Sequence, residues 1–318
     1  MGRRFLMPAP AAGGPLGRPG CGVRRSGDGR SAVDVDRLAV IILTQNEEAH
    51  LARCLESLRG LDCEVFVVDS GSTDRTRRIA EEAGAAVVGH PFVTYAAQRN
   101  WAQENLPLRS GWILHLDAAE RLTPELVAEL NRMLEAPPAG LDGFLIRRRI
   151  VFMGRWLRHG GQYPVYHLRL YRKGRGRCEE RLYDQHFVVD GQAARLRNDF
   201  IDETTSDLKT WMYRHMHWAE LERDELMRRG ARTGYVRARL FGTPIERRRW
   251  LRNHLYYRAP RLARAFAYWG YRYIVQRGFL DGPEGLIYHG LQGFWYRFYV
   301  DALLHEATGV KEEWSTRV

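Results

Sequence analysis

The chain has 318 residues, 45% of them hydrophobic, enough for one large domain or two small ones with a sizeable core, and it carries no internal repeat. Its 49 lysines and arginines against 38 acidic residues give a formal net charge of +11, which favours nucleotide phosphates, nucleic acid or an acidic membrane as partner, or else marks a solvated basic surface. Cys21, Cys54, Cys63 and Cys178 show neither CxxC pairing nor a zinc spacing and fit structural thiols in a reducing compartment, and no stretch reaches the ~18 apolar residues of a membrane span.

Residues 1–36 are rich in Gly, Pro, Arg and Ala without apolar periodicity, which predicts a disordered leader, and they lack the apolar core of a secretory signal. Leu38–Leu43 is a continuous apolar run, the pattern of a strand buried on both faces of a parallel sheet. Thr44 or Asn46 can cap a following helix, in which Leu51, Cys54, Leu55 and Leu58 recur at helical spacing. Val65–Val68 is a second strand, and Asp69 stands at its carboxyl end. Ser70-Gly71-Ser72-Thr73 is turn chemistry, with Ser72 or Thr73 able to cap a helix beginning at Asp74 and ended by Gly84. Ala85–Val88 is a third strand, Tyr95–Trp101 opens a helix, and Trp112–Leu116 is a fourth strand ending in Asp117-Ala118-Ala119-Glu120. Thr123 then caps a helix with Pro124 at its first position, closed by Pro137-Pro138. The β–α–β–α–β order predicts an α/β fold, a parallel sheet with helices on both faces. Ligands of such sheets sit beyond the carboxyl ends of the strands, so Asp69 is either a ligand-edge carboxylate or part of an ordinary β–turn–α unit.

TQNEE after the first strand, VVDSGSTD after the second, QRNWA, and WILHLDAAERLTPEL together resemble family-2 glycosyltransferases of the GT-A fold, in the branch of lipopolysaccharide-core and exopolysaccharide enzymes. The likeness continues through MGRWLRHGGQYPVYHLRLYRKGRGRCEERLYDQHFVVDG and RGFLDGPEG, covering about residues 37–305. It implies a GT-A, Rossmann-like, mostly parallel sheet over residues 37–205, with a nucleotide half at 37–136 and an acceptor half at 137–205, followed by a helical region at 206–318. It implies a nucleoside-diphosphate sugar as donor, a glycan or glycolipid as acceptor, and inverting transfer at the cytoplasmic face of the inner membrane. Asp69, Thr44, Asn46 and Glu47 are placed for the base or ribose, and the resemblance adds Gln98 and Asn100 as the nucleotide frame and Asp117 at the diphosphate.

Two positions depart from the family pattern. The metal-binding motif usually reads DADE, and here Ala119 replaces the second aspartate, leaving Asp117 and Glu120 as ligands for the Mg2+ or Mn2+ that the resemblance implies. The family's catalytic base aligns with Gln185, which cannot act as one, so Asp184 is the candidate base with Glu179 and Glu180 in reserve. The alternative is a homologue that binds sugar nucleotide or a partner transferase and is impaired in catalysis. His159-Gly160-Gly161-Gln162-Tyr163-Pro164 reads either as a flexible acceptor loop using His159 and Tyr163 or as a plain turn.

From Asp207 on the chain reads as helical, with Leu208, Trp211, Met212, His215, Trp218 and Ala219 as a core stripe. Residues 246–278 interleave Arg with Trp and Tyr, which suits a helix lying on an anionic leaflet or a packed appendage with a solvated arginine face. No helix–turn–helix, zinc or RNA-recognition signature supports a nucleic-acid partner, and no GxGxxG follows the first strand, which argues against a dehydrogenase.

Overall fold

The computed structural model describes residues 34–204, 207–228 and 236–315. The expected leader falls outside these residues up to 33, and its last three positions instead belong to β1 (Asp34–Thr44). α1 (Leu51–Glu56), β2 (Cys63–Asp69), α2 (Thr76–Glu82), β3 (Ala86–Gly89), α3 (Tyr95–Asn105) and β4 (Ser110–Asp117) follow. The strands pair in parallel across β3-β2-β1-β4, as the βαβ order predicts. β1 is apolar without alternation because both its faces are covered. Leu38, Val40 and Ile42 pack into one core with Leu51, Leu126 and Leu130, while Ala39 and Ile41 pack into another with Ala96 and Ala102.

The expected helix starts shift. α1 is preceded by His50 rather than capped by Thr44 or Asn46, and α2 begins two residues beyond Asp74 with no side-chain cap. The hydroxyl and carboxamide groups expected as caps are spent between the two loops. By contrast, α4 (Pro124–Glu135), which follows the short β5 (Glu120–Leu122), starts as read, with Thr123 accepting from the Leu126 N–H at 3.2 Å.

β6 (Leu141–Phe152), β7 (Arg155–Trp156), β8 (Val165–Arg172) and β11 (Gln192–Thr204) complete a nine-stranded sheet, ordered β3-β2-β1-β4-β8-β6-β11-β5, with β7 on β6. β8 enters antiparallel to both β4 and β6, and β9 (Gly176–Cys178) with β10 (Phe187–Val189) forms a separate ribbon. The register sets Thr44 beside Asp69 and Leu43 beside Asp117, so three strand ends meet along one edge.

The remainder is helical: α5 (Leu208–Met227), α6 (Pro244–Leu251), α7 (Ala263–Gly270), α8 (Gly282–Tyr288) and α9 (Tyr296–Ser315). Trp211 and Tyr288 pack on Ile150, Phe152 and Leu157 and fasten these helices to the sheet. The α5 stripe buries Trp211, His215 and Ala219 as expected, and also Glu222 and Glu225. Glu222 is held inside by the Tyr296 hydroxyl at 2.8 Å and by Arg297 at 2.9 Å.

Burial lowers the pKa of His215 and of His289 to about 4. A folded-state value below the unfolded one means the unfolded chain binds more protons between these limits, so stability falls as pH drops through about 6.5 toward 4. Two such groups predict a loss of about 2–4 kcal/mol between pH 7 and pH 5. An unchanged urea midpoint over that range would contradict it.

Candidate active site

The first two loops of the strand-end edge are zipped together by their own polar side chains. Asp69 is fully buried and accepts from the Thr44 hydroxyl at 3.1 Å, the Gly71 N–H at 3.1 Å, the Ser72 N–H at 3.0 Å and the Ser72 hydroxyl. Those bonds occupy both its oxygens, so in this arrangement Asp69 shapes the 70–73 turn instead of facing a ligand. Asn46 adopts the left-handed conformation at φ 56°, which asparagine tolerates better than most residues. It accepts from the Thr73 N–H at 2.8 Å, while its own N–H donates to the Ser72 hydroxyl at 2.8 Å. The Glu47 N–H donates to the Thr76 hydroxyl at 2.7 Å, and its carboxylate meets His50 at 2.6 Å. Gln98, buried on α3, joins Ser70 at 3.0 Å to His90. Asn100 departs from the frame expected of it: its amide bridges the Cys178 backbone in both directions, at 3.0 and 2.8 Å, and fastens α3 to β9.

Asp117 stands at the next strand end between two arginines that the sequence reading missed. Arg99 reaches one of its oxygens at 2.7 Å, and Arg169 reaches the other at 3.2 Å. Burial would raise the Asp117 pKa, but the two guanidiniums hold it far below the carboxylate range. Arg169 also pairs with Glu120, whose second oxygen accepts the Asp117 N–H at 2.9 Å. Burial, with the charges of Asp117 and Asp202, pushes the Glu120 carboxyl up to about 8 against the pull of Arg169.

A divalent ion takes about six oxygen ligands. Asp117 keeps 41% of its side chain exposed, but both oxygens already meet guanidiniums. Glu120 is 2% exposed with both oxygens committed, and Ala119 offers no ligand. Among the described residues no group of three His, Cys, Asp or Glu side chains is placed to hold a metal. In this arrangement Asp117 and Glu120, expected as metal ligands, are committed to an ion-pair network with Arg99 and Arg169.

The acceptor side departs further. Asp184 sits at φ 56°, with Arg252 at 2.6 Å, His186 at 3.5 Å and Arg249 at 3.9 Å around its carboxylate. Burial alone would raise its pKa, but Arg252 and His186 drive it well below the usual value. A carboxylate so stabilised is a poor proton acceptor, which counts against its role as base. Gln185 donates to the Arg181 and Leu182 carbonyls at 2.8 and 2.9 Å and ties its own loop. Glu179 is buried against Arg249 and the N–H groups of His186 and Val236, whereas Glu180 is exposed.

The 158–163 loop is clamped rather than flexible. Asp281, 122 residues further on, accepts from the His159 N–H at 2.9 Å and meets His159 Nδ1 at 2.7 Å. Arg272 donates to the Gly160 carbonyl at 2.6 Å, and the Tyr163 hydroxyl donates to Asp199 at 3.1 Å. His159 and Tyr163 are therefore held by protein partners in this arrangement. Gly160 has φ +63°, and a Cβ there would lie 2.2 Å from the ring of His289, which is fully buried. Gly160→Ala is expected to cost about 2–4 kcal/mol, from the left-handed backbone and the overpacked ring together. A thermal midpoint within a degree or so of the parent would refute it. The arginines gave no sequence signal beyond the +11 charge, because spacing alone cannot say which acid each one meets.

Residues 39–205 match the family described as glycosyl transferase family 2. An uncharacterized glycosyltransferase of Rickettsia felis is 42% identical over 97 residues, 30% of this chain and 34% of that protein. The lipopolysaccharide core biosynthesis glycosyltransferase LpsC of Rhizobium meliloti is 33% identical over 147 residues, 45% of this chain and 53% of that protein. The chain thus spans about a third to about half the length of these curated relatives. Among solved structures, S. aureus TarS 1-349 aligns at TM-score 0.41 and 15% identity, over 86% of this chain and 92% of that one. Glucosyl-3-phosphoglycerate synthase from Mycobacterium tuberculosis, in complex with Mn2+, UDP and glucosyl-3-phosphoglycerate, aligns at TM-score 0.30 and 21% identity, over 40% of this chain and 50% of that one.

Proposed function

The chain belongs to glycosyl transferase family 2, and from that premise we propose that it moves a sugar, with inversion, from a nucleoside-diphosphate donor to a glycan or lipid-linked acceptor in bacterial surface polysaccharide synthesis. The observation that carries this reading is the strand-end edge itself. Thr44, Asp69 and Asp117 lie side by side at the ends of β1, β2 and β4, and their loops are fixed before any ligand arrives. Such preorganisation suits a nucleotide, because the ordering cost is met within the fold. In this reading the loops at 44–47 and 70–73, with Gln98 behind them, frame the base and ribose, and Asp117 with its arginines marks the diphosphate end. The test is release of nucleoside diphosphate from UDP-, GDP- and dTDP-sugars, with truncated bacterial lipopolysaccharide as acceptor. Acceptor-dependent release from one donor is expected; its absence for every donor, from a protein that binds one of them, would favour the second reading.

That second reading, a homologue that binds sugar nucleotide and transfers poorly, rests on Asp184 and Gln185. The carboxylate is ion-paired on three sides, and the amide is committed to backbone carbonyls. If Ala119→Asp with Gln185→Glu raises turnover from near zero, the second reading is upheld. If the parent already turns over and the double variant does not improve on it, the first stands.

We place the protein at the cytoplasmic face of the inner membrane. Among the described residues no helix is long and apolar enough to cross a membrane. Phe266, Tyr271, Ile274 and Val275 nevertheless recur at helical spacing as exposed apolar or aromatic residues, followed by exposed Phe279 and Leu280. Exposed Arg258 and Arg261 precede them in the chain, and exposed Arg277 lies among them. Apolar insertion beside basic residues suits an anionic leaflet. Sedimentation with phosphatidylglycerol vesicles but not with phosphatidylcholine vesicles is the expected result, and no sedimentation with either would dispose of the idea.

A further inference from the structure

Arg148 on β6, Arg248 on α6, and Arg252 and Arg272 just beyond α6 and α7 crowd one part of the acceptor side. Three carboxylates, Asp184, Asp202 and Glu222, act on these four guanidiniums, and all are already engaged, Glu222 by Arg297 at 2.9 Å. Asp202 takes Arg148 at 3.4 Å, and Asp184 takes Arg252 at 2.6 Å, with His186 and Arg249 alongside. Arg272 is spent in part on the Gly160 carbonyl at 2.6 Å and the Tyr268 hydroxyl at 2.9 Å. The Arg248 side chain has no hydrogen bond or ion pair within the described residues, although its backbone carbonyl accepts the Arg252 N–H. Nε of Arg148, Nε of Arg252 and Nε2 of His167 are buried without a partner. The His167 ring lies 6.3 Å from that of His186, next to Asp184.

The electrostatics agree with an uncompensated positive region. Arg248 is solvent-accessible, yet it is crowded enough that desolvation and the charges of Arg272 and Arg148 lower its pKa. Burial would raise the Tyr268 phenol, but Arg272 and Arg297 outweigh it and bring it down. Burial first, and then the guanidiniums of Arg148, Arg169 and Arg248, hold the His167 pKa well below the usual imidazole value. Cations without enough acids to match them cost free energy unless an anion joins them.

We propose that Arg248, Arg148 and Arg272, with Nε2 of His167, form a metal-independent oxyanion site that takes a phosphate or diphosphate group of a substrate. The proposal rests on the donor-and-acceptor reading above and extends it. Guanidiniums pair with phosphate oxygens two at a time and are well suited to charge that develops on a leaving group. They supply positive charge beside an Asp117–Glu120 segment whose carboxylates are already paired with arginines. The group bound is either the diphosphate of the donor or a phosphate on the acceptor.

The test is calorimetric titration of the full chain with inorganic pyrophosphate in EDTA, using the parent, Arg248→Ala and Arg248→Lys. The Arg248 side chain makes no bond that folding relies on, and equal thermal midpoints of the three will verify this. Pyrophosphate should bind without metal, Arg248→Ala should weaken it at least about tenfold, and Arg248→Lys should recover part of the loss, keeping the charge but not the fork. Titration with UDP, GDP and dTDP separates the sources. If the nucleotide that binds also loses about tenfold in Arg248→Ala and competes with pyrophosphate, the site holds the donor diphosphate. If nucleotide binding ignores the substitution while pyrophosphate binding suffers, it holds an acceptor phosphate. Pyrophosphate affinity unchanged within about twofold by Arg248→Ala, or binding only with Mn2+, overturns the site. A parent that binds pyrophosphate but no nucleotide would instead remove the donor reading and leave the oxyanion site standing.

Discussion

Replacing Asp281 by alanine is expected to cost about 3–5 kcal/mol. The carboxylate is 2% exposed and accepts from the Arg158 N–H at 3.2 Å, the His159 N–H at 2.9 Å and His159 Nδ1 at 2.7 Å. Three donors lose their acceptor at once, and the loss is tempered only where His159, 36% exposed at its side chain, can turn to water. The effect should also be functional, because the freed segment is the 158–163 loop beside the arginine cluster. Transfer should fall at least about tenfold, with nucleotide binding preserved, since the loops at 44–47 and 70–73 lie on other strands. Asp281→Asn keeps one acceptor oxygen and should recover part of the stability. Urea unfolding of the three proteins checks this, and a loss below about 1 kcal/mol for the alanine variant would show that the loop holds itself.

Glu179→Ala should be comparably damaging, at about 3–5 kcal/mol, for a different reason. Glu179 is 1% exposed and faces Arg249, itself 5% exposed. Removing the acid leaves a buried guanidinium whose remaining acidic neighbour, Asp184 at 3.9 Å, is already shared with Arg252. The N–H groups of His186 and Val236 lose their acceptor as well. The sign of the pH dependence follows. Burial would raise the Glu179 pKa, but Arg249 lowers it below the unfolded value. Its stabilisation is therefore complete above about pH 4.5 and fades as pH falls through the folded pKa, so parent and variant should converge in acid. A stability gap that stays constant from pH 7 to pH 4 would mean that the loss comes from packing and not from the ion pair.

The parts of the fold legible in the sequence were those set by local pattern. The apolar runs at Leu38–Leu43, Val65–Val68 and Trp112–Leu116 became β1, β2 and β4, because a strand covered on both faces cannot alternate. Thr123-Pro124 opened α4 as read, because that cap needs only residues within one turn. The caps expected of Thr44, Asn46 and Ser72 failed for a physical reason: each short polar side chain had a competing partner on the neighbouring loop, 25 to 27 residues away in sequence. The strand-end carboxylates Asp69 and Asp117 were legible as positions but not as environments. Nothing in spacing reveals that Asp69 would be closed in by its own turn, or that Arg99 and Arg169 would flank Asp117. Asp184 and His159 were likewise legible as positions but not as environments, since their partners Arg252 and Asp281 lie 68 and 122 residues further along in the helical region. The ionic ties between the two parts of the chain are the least predictable feature, and they dominate the acceptor side.

The most direct measurement is calorimetric titration of the full chain with UDP, GDP and dTDP, first in EDTA and then with Mn2+. The account holds that the ends of β1, β2 and β4 form a nucleotide site whose diphosphate end is served by arginine. It predicts that one of the three binds in EDTA, that Mn2+ changes its affinity less than about twofold, and that Asn46→Ala, which unzips the two loops, weakens it about tenfold. Binding of none of them to the folded chain in EDTA, whether or not Mn2+ then rescues it, would contradict the account.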